Sequence, residues 1–159
     1  MVLNETKLNQ EILAEARKNA ANNYADGPET MIALYNFFKE LVYAVDDLQD
    51  ELDDMDDQIV MQHIIEDDEH DFKWWVKVGE GIYDTGVGEI DEDEMTVSLS
   101  ASWEITKGLI KGSVDPTTAY MTGDIIINGN LQHSILYGGF AALITAEIIA
   151  WRRAHPGEI

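Results

Sequence analysis

The chain has 159 residues, of which 31 are acidic and 10 basic, giving a formal net charge of −21, and it contains no cysteine. That length suits one domain with a real core, and four Trp with six Tyr argue against wholesale disorder. The charge opposes binding to nucleic acid or to anionic membranes, and the lack of cysteine excludes disulfides, thiolate metal sites and thiol nucleophiles.

The first residues, MVLNETKLNQEILAEARK, mix charges throughout and lack the apolar centre of a signal peptide, so a cytoplasmic location is the expectation. Residues 4–23 are expected to be a helix with a thin apolar stripe at Leu8, Ile12 and Ala16, fit for loose packing or for a homodimer contact. After the Asp26-Gly27-Pro28 interruption a second helix is predicted over residues 28–54. Met31, Leu34, Tyr35, Phe38, Leu41, Val42, Val45, Leu48 and Leu52 form its broad stripe. Its tail, DDLQDELDDMDD, lacks the glycine and the register of a calcium loop and reads as a solvated acidic face; no metal site is expected.

From residue 58 the period becomes two. QIVMQHIIE and DFKWWVKVGEG read as a hairpin, IYDTGVGEI as a third strand and EMTVSLSA as a fourth, together an antiparallel meander with one buried face. A short helix follows over residues 103–111, then a connection, GSVDPTTAYMTG, then a strand, DIIIN. The last helix begins near Leu131. Residues 131–151 have nearly the length of a membrane span, but Gln132, His133, Glu147 and a central glycine pair favour a buried or half-buried helix of a water-soluble fold, without stable membrane insertion. The fold class is therefore α+β.

The segment GLIKGSVDPTTAYMTGDIIINGN resembles the sterol carrier protein 2 (nonspecific lipid-transfer) family through Gly112, Asp115-Pro116, Ala119-Tyr120-Met121, residues 123–129 and a terminal helix from Leu131. WWVKVGEGIY is similar to that family's Trp-bearing strand and Gly turn, and EMTVSLSASWEITKGLIKG to its next strand and short helix; the resemblance covers residues 55–148. It implies a five-stranded, largely antiparallel sheet covered by helices that enclose an apolar tunnel for sterols, fatty acids, acyl-CoA or phospholipids, without catalysis. Residues 1–54 would be extra N-terminal helices packed on or extending the core, 55–151 the lipid-binding domain and 152–159 a tail.

Under that resemblance the apolar wall falls to Trp74, Val76, Met95, Val97, Leu99, Trp103, Tyr120, Met121, Ile125 and Ile127, and the cover to Leu131, Ile135, Leu136, Phe140, Leu143 and Ile144. Gly138 and Gly139 mark either close packing on the sheet or a hinge in the cover. His63 shares strand parity with Met61 and Ile65 and reads as a hydrogen-bonded core histidine; no catalytic or cofactor motif is found. Three functions stay open: a carrier of fatty acyl chains or related lipids, an oligomerisation module whose cavity is filled by its own side chains, and an accessory subunit presenting acyl-CoA, provided that Lys73, Lys77, Lys107 or Lys111 gathers near the mouth.

Overall fold

The chain order in the computed structural model, which describes residues 8–154, is three helices, four strands, two helices, a strand and a helix. Helix α1, Gln10–Ala21, starts later than its stripe predicts because Asn9 caps it, its side-chain oxygen accepting from the Glu11 and Ile12 amides at 3.0 and 3.2 Å. Residues 4–7 of the expected helix lie outside the described residues.

The single helix expected over residues 28–54 is two: α2, Thr30–Ala44, and α3, Asp46–Asp54, parted by an extended Val45 at φ −109°, ψ 114°. The break has an electrostatic reason. It places Asp46 and Asp47 in the first turn of a new helix, where the helix dipole favours carboxylates, instead of in the tail of a long one. The apolar stripe survives it, with Met31, Leu34, Tyr35, Leu41, Val42, Val45, Leu48 and Leu52 all buried.

Strands β1 (Ile59–Glu66), β2 (Asp71–Gly79), β3 (Ile82–Val87), β4 (Val97–Ala101) and β5 (Ile125–Gly129) form one sheet in the order β3-β2-β1-β4-β5. The hairpin β1–β2 is as expected, but the meander is not: β4 lies parallel to β1, with Met61 opposite Val97 and Ile65 opposite Ala101. β1 is apolar on both faces, the pattern of a strand covered on both sides, and it holds the centre of the sheet, so β4 crosses back to reach its second edge.

The crossing segment, residues 88–96, runs over one face of the sheet, here called outer, where buried Gln62 holds it. The Gln62 amide donates to the carbonyls of Trp74 (2.9 Å) and Gly88 (3.1 Å) and accepts from the Ile90 amide (2.7 Å). Thr96 closes the segment onto β1, its amide donating to the Val60 carbonyl at 3.0 Å. Met95 therefore lies ahead of β4, half-buried in this segment rather than on the strand's inner face.

Helices α4 (Trp103–Lys111), α5 (Pro116–Thr122) and α6 (Leu131–Ala154) complete the chain. The connection expected at residues 113–122 contains α5: Asp115 caps it by accepting from the Thr118 amide at 2.9 Å, Pro116 opens it and Gly123, at φ +83°, ends it. α2 and α3 cover β2 and β3 on the inner face, with Lys39 Nζ 2.9 Å from Asp84 and the Tyr83 amide donating to the Tyr43 hydroxyl. α4 and α5 pack under β4 and β5 on that face, and α6 crosses it from Thr96 to α1.

Gly129 ends β5 at φ +102°, and a Cβ there would stand 2.6 Å from the Thr96 carbonyl oxygen, whereas a Cβ at Gly123 would meet nothing within 4 Å. Gly129→Ala is expected to cost at least ~2 kcal/mol and Gly123→Ala about half of that. Urea denaturation of the two variants measures the difference; equal losses would show that conformation alone, without the close approach, sets the cost.

Candidate functional site

Strand registry lines up one row of inner-face side chains across four strands: Trp74 on β2, His63 on β1, Leu99 on β4 and Ile127 on β5. The two halves of the row differ. Trp74 and His63 are almost fully buried, at 1% and 6% exposure, beneath α2 and α6, while Leu99 and Ile127 are half-buried. Leu99 and Ile127 pack on one side against the buried cluster of Ile59, Met61 and Val97, which Tyr137 also meets, and on the other against Ala101, Ala119 and Ile125, which Ile105 and Leu109 of α4 also meet. They form an apolar floor between α6 and the α4–α5 pair.

The buried half is aromatic and polar. The His63 ring stacks flat on Trp74, with centroids 4.5 Å apart and planes 6° apart, and Tyr35 of α2 tilts against both at 5.4 Å. His63 Nε2 lies 2.7 Å from the Tyr137 hydroxyl, which also hydrogen-bonds to Tyr35. Burial drives His63 down to about 3 and Tyr35 up to about 12, and it raises Tyr83 and Tyr137 well above the ordinary phenol range, so the whole group is uncharged near neutral pH. Trp74 Nε1 is buried and has no hydrogen-bond partner among the described residues. A buried donor left this way costs free energy unless an acceptor reaches it.

α6 carries its buried side chains at His133, Phe140, Ile144 and Trp151, with Tyr137 and Ile148 half-buried on the same stripe. Both ends of the helix are tied down: His133 Nδ1 is 2.9 Å from Thr96 Oγ1, and the Arg17 guanidinium sits 5.0 Å above the Trp151 ring. This stripe differs from the one expected. Leu131, Ile135, Leu136 and Leu143 point into solvent, as do Tyr120 and Met121 of α5, so none of the six lines an enclosed tunnel. The helix is apolar all round, and apolar spacing alone cannot tell which side faces inward.

Gly138 and Gly139 are exposed, and a Cβ at either would meet nothing within 4 Å; close packing on the sheet is therefore not their reason. Trp103 is buried at the corner between β4 and α4, where Asp67 caps its amide at 2.9 Å. Val76, Val97, Ile125, Phe140 and Ile144 are buried on the inner side. The lysines do not gather. Lys73 and Lys77 belong to the outer face, where they pair with Glu89 and Glu94, and Lys107 pairs with Glu104 on α4.

His63 is the hydrogen-bonded core histidine its strand parity suggested, and its partner is Tyr137. Sequence reading missed Tyr35, Tyr83 and Tyr137 as part of the site. The stripe 133, 137, 140, 144, 148, 151 was the available signal, and it requires a histidine and a tyrosine to be counted as inward-facing.

A family model described as the SCP-2 sterol transfer family matches residues 38–135, well over half of the chain. Among solved structures, the chain is similar to sterol carrier protein 2 from Yarrowia lipolytica, with TM-score 0.52 and 14% identity over 68% of this chain and 86% of that one. It is also similar to the UbiJ-SCP2 ubiquinone synthesis protein, with TM-score 0.54 and 13% identity over 74% and 96%. A double mutant of a sec-alkyl sulfatase aligns with TM-score 0.52 and 14% identity over 74% of this chain, which spans only 16% of that protein. No curated protein sequence matches. Likeness at these identities shows the fold.

The neutral histidine makes stability depend on pH. Unfolded, His63 takes up a proton near its ordinary 6.5; folded, it does so only near 3, so its contribution is whole above pH 6.5 and is lost as the pH falls toward 3. The slope in that window is up to about 1.4 kcal/mol per pH unit. His63→Gln should flatten the curve of stability between pH 6.5 and 4.5 in denaturant titrations; an unchanged slope there would assign the proton uptake to another group.

Proposed function

We propose that this chain, which belongs to the SCP-2 sterol transfer family, is a non-catalytic binding protein for an apolar ligand with a fatty-acyl or sterol-like body and a small uncharged polar end. The family is generally one of lipid binding or transfer. The observation that carries the finer reading is the row Trp74–His63–Leu99–Ile127, which passes from a half-buried apolar floor to a buried polar group with an unused indole N–H. A ligand body over Leu99 and Ile127 would remove apolar surface from water, at roughly 25 cal/mol per Å². Its polar end would then meet Trp74 Nε1, His63 and Tyr137.

The chemistry of that end follows from the charges around it. His63 is held neutral and the tyrosines stay protonated, so nothing in the group offsets a carboxylate, and an ionised head would lose its hydration without a counter-charge. An ester, ketone or quinone carbonyl accepts from an indole N–H and keeps no charge. The acyl-CoA reading is weakened for the same reason, and by the lysines, which stand apart. A neighbouring role as an accessory unit is favoured by one finding: the same fold spans a small part of a long sulfatase chain.

Displacement of a fluorescent fatty-acyl probe at pH 8 tests the reading. The methyl ester of a long-chain acid should compete at least tenfold better than the free acid, and Trp74→Phe should reduce that preference. Failure of every apolar ligand to compete would sink the binding role; equal competition by acid and ester would sink only the assignment of an uncharged end.

A further inference from the structure

Charge and apolar exposure are segregated along this chain. Residues 1–115 carry 28 carboxylates against eight lysines and arginines, while residues 116–154 carry Asp124 and Glu147 against Arg152 and Arg153. Of the eleven large hydrophobic side chains left exposed among the described residues, eight fall between Tyr120 and Ile149. Five of those are on α6: Leu131, Ile135, Leu136, Leu143 and Ile149, with Ile135 at 61% exposure. They occupy the side of the helix away from the Phe140–Ile144–Trp151 stripe, and the exposed residues between them are mostly small (Gly138, Gly139, Ala141, Ala142 and Ala146), with Gln132 and Thr145 the polar ones.

α6 is long and apolar enough to cross a membrane by length and composition, with mean hydropathy 1.5, yet little of it is buried within the protein. Spanning would require stripping His133, Tyr137, Phe140, Ile144 and Trp151 from the core. Lying along an interface requires nothing to move, because the free side is already turned outward. We propose that this outward face of α6 is a docking surface for a bilayer of zwitterionic lipid headgroups, on which the protein rests without inserting a span.

Two observations select a lipid surface over a second copy of the chain. The first is area. A helix of 24 residues is about 36 Å long, and one face about 10 Å wide offers ~360 Å², well short of the ~800 Å² per partner that a stable protein interface uses. The second is charge. Two copies meeting through α6 would bring two strongly acidic bodies together, whereas a zwitterionic surface has no net charge to oppose one. The only basic residues beyond position 115 among those described, Arg152 and Arg153, are both exposed at the end of the apolar run, where headgroup phosphates would meet them. The inference stands on the surface of α6 and not on the ligand reading.

The test is flotation of the full chain with vesicles of pure phosphatidylcholine and of phosphatidylcholine with one-third phosphatidylglycerol, alongside light scattering without lipid. The wild type should float with the zwitterionic vesicles and several-fold less with the anionic ones at low salt. Ile135→Glu with Ile149→Glu, both at exposed positions, should cut flotation at least tenfold while displacement of the fluorescent acyl probe is retained. Absence of wild-type flotation, or a variant that floats as well as the wild type, would overturn the proposal. So would a wild-type dimer in light scattering that the double variant abolishes, since that makes a second copy the occupant.

Discussion

Everything in this fold is arranged around β1. Its residues Ile59, Val60, Met61, Gln62 and His63 are all buried, and β2 pairs along one of its edges and β4 along the other. A central strand with polar groups at adjacent positions must find partners for them on both faces. Gln62 finds them outward, in backbone carbonyls and the Ile90 amide, and His63 finds Tyr137 inward. The first bond fixes the crossing segment, and the second fixes α6. One strand thereby sets the position of both covers of the sheet.

The inward partner gives the site its character. An imidazole buried between an indole and two phenols cannot hold a proton at ordinary pH, and its neutrality extends to the whole group. Such a group offers hydrogen bonds and shape, not charge. Beside it, Leu99 and Ile127 continue the same row with nothing but hydrocarbon. A molecule that is apolar along most of its length and weakly polar at one end matches that sequence of side chains.

Much of the architecture was legible in the sequence because local physics and tertiary outcome agree there. The alternation Phe72-Trp74-Val76-Val78 marks the inner side of β2, and the Asp-Pro and glycine motifs mark the close of the chain. Disagreement arises where a decision is non-local. Nothing within residues 97–101 says that their partner is β1 and not β3; only the two-sided burial of residues 59–65 does, and that is a property of another strand. Asp115-Pro116 announced α5, yet its seven residues are too few to show a period. α6 hides its inward face because isoleucine, leucine and alanine surround it, and the residues that decide the orientation are His133 and Tyr137, which an apolar count omits.

The parallel pairing of β1 with β4 also bears on how the molecule assembles. The hairpins β1–β2 and β2–β3 close short loops and lose little chain entropy in doing so. β4 cannot join in sequence order. Its pairing sets Met61 against Val97, a far longer stretch of chain than either hairpin closes, and so costs more loop-closure entropy. The half of the row that is apolar and partly open, Leu99 and Ile127, is thus also the half held by the longer-range strand pairings. Trp74 meets His63 across a hairpin, whereas Leu99 reaches the same histidine only after the chain has made the whole of β2, β3 and the crossing segment.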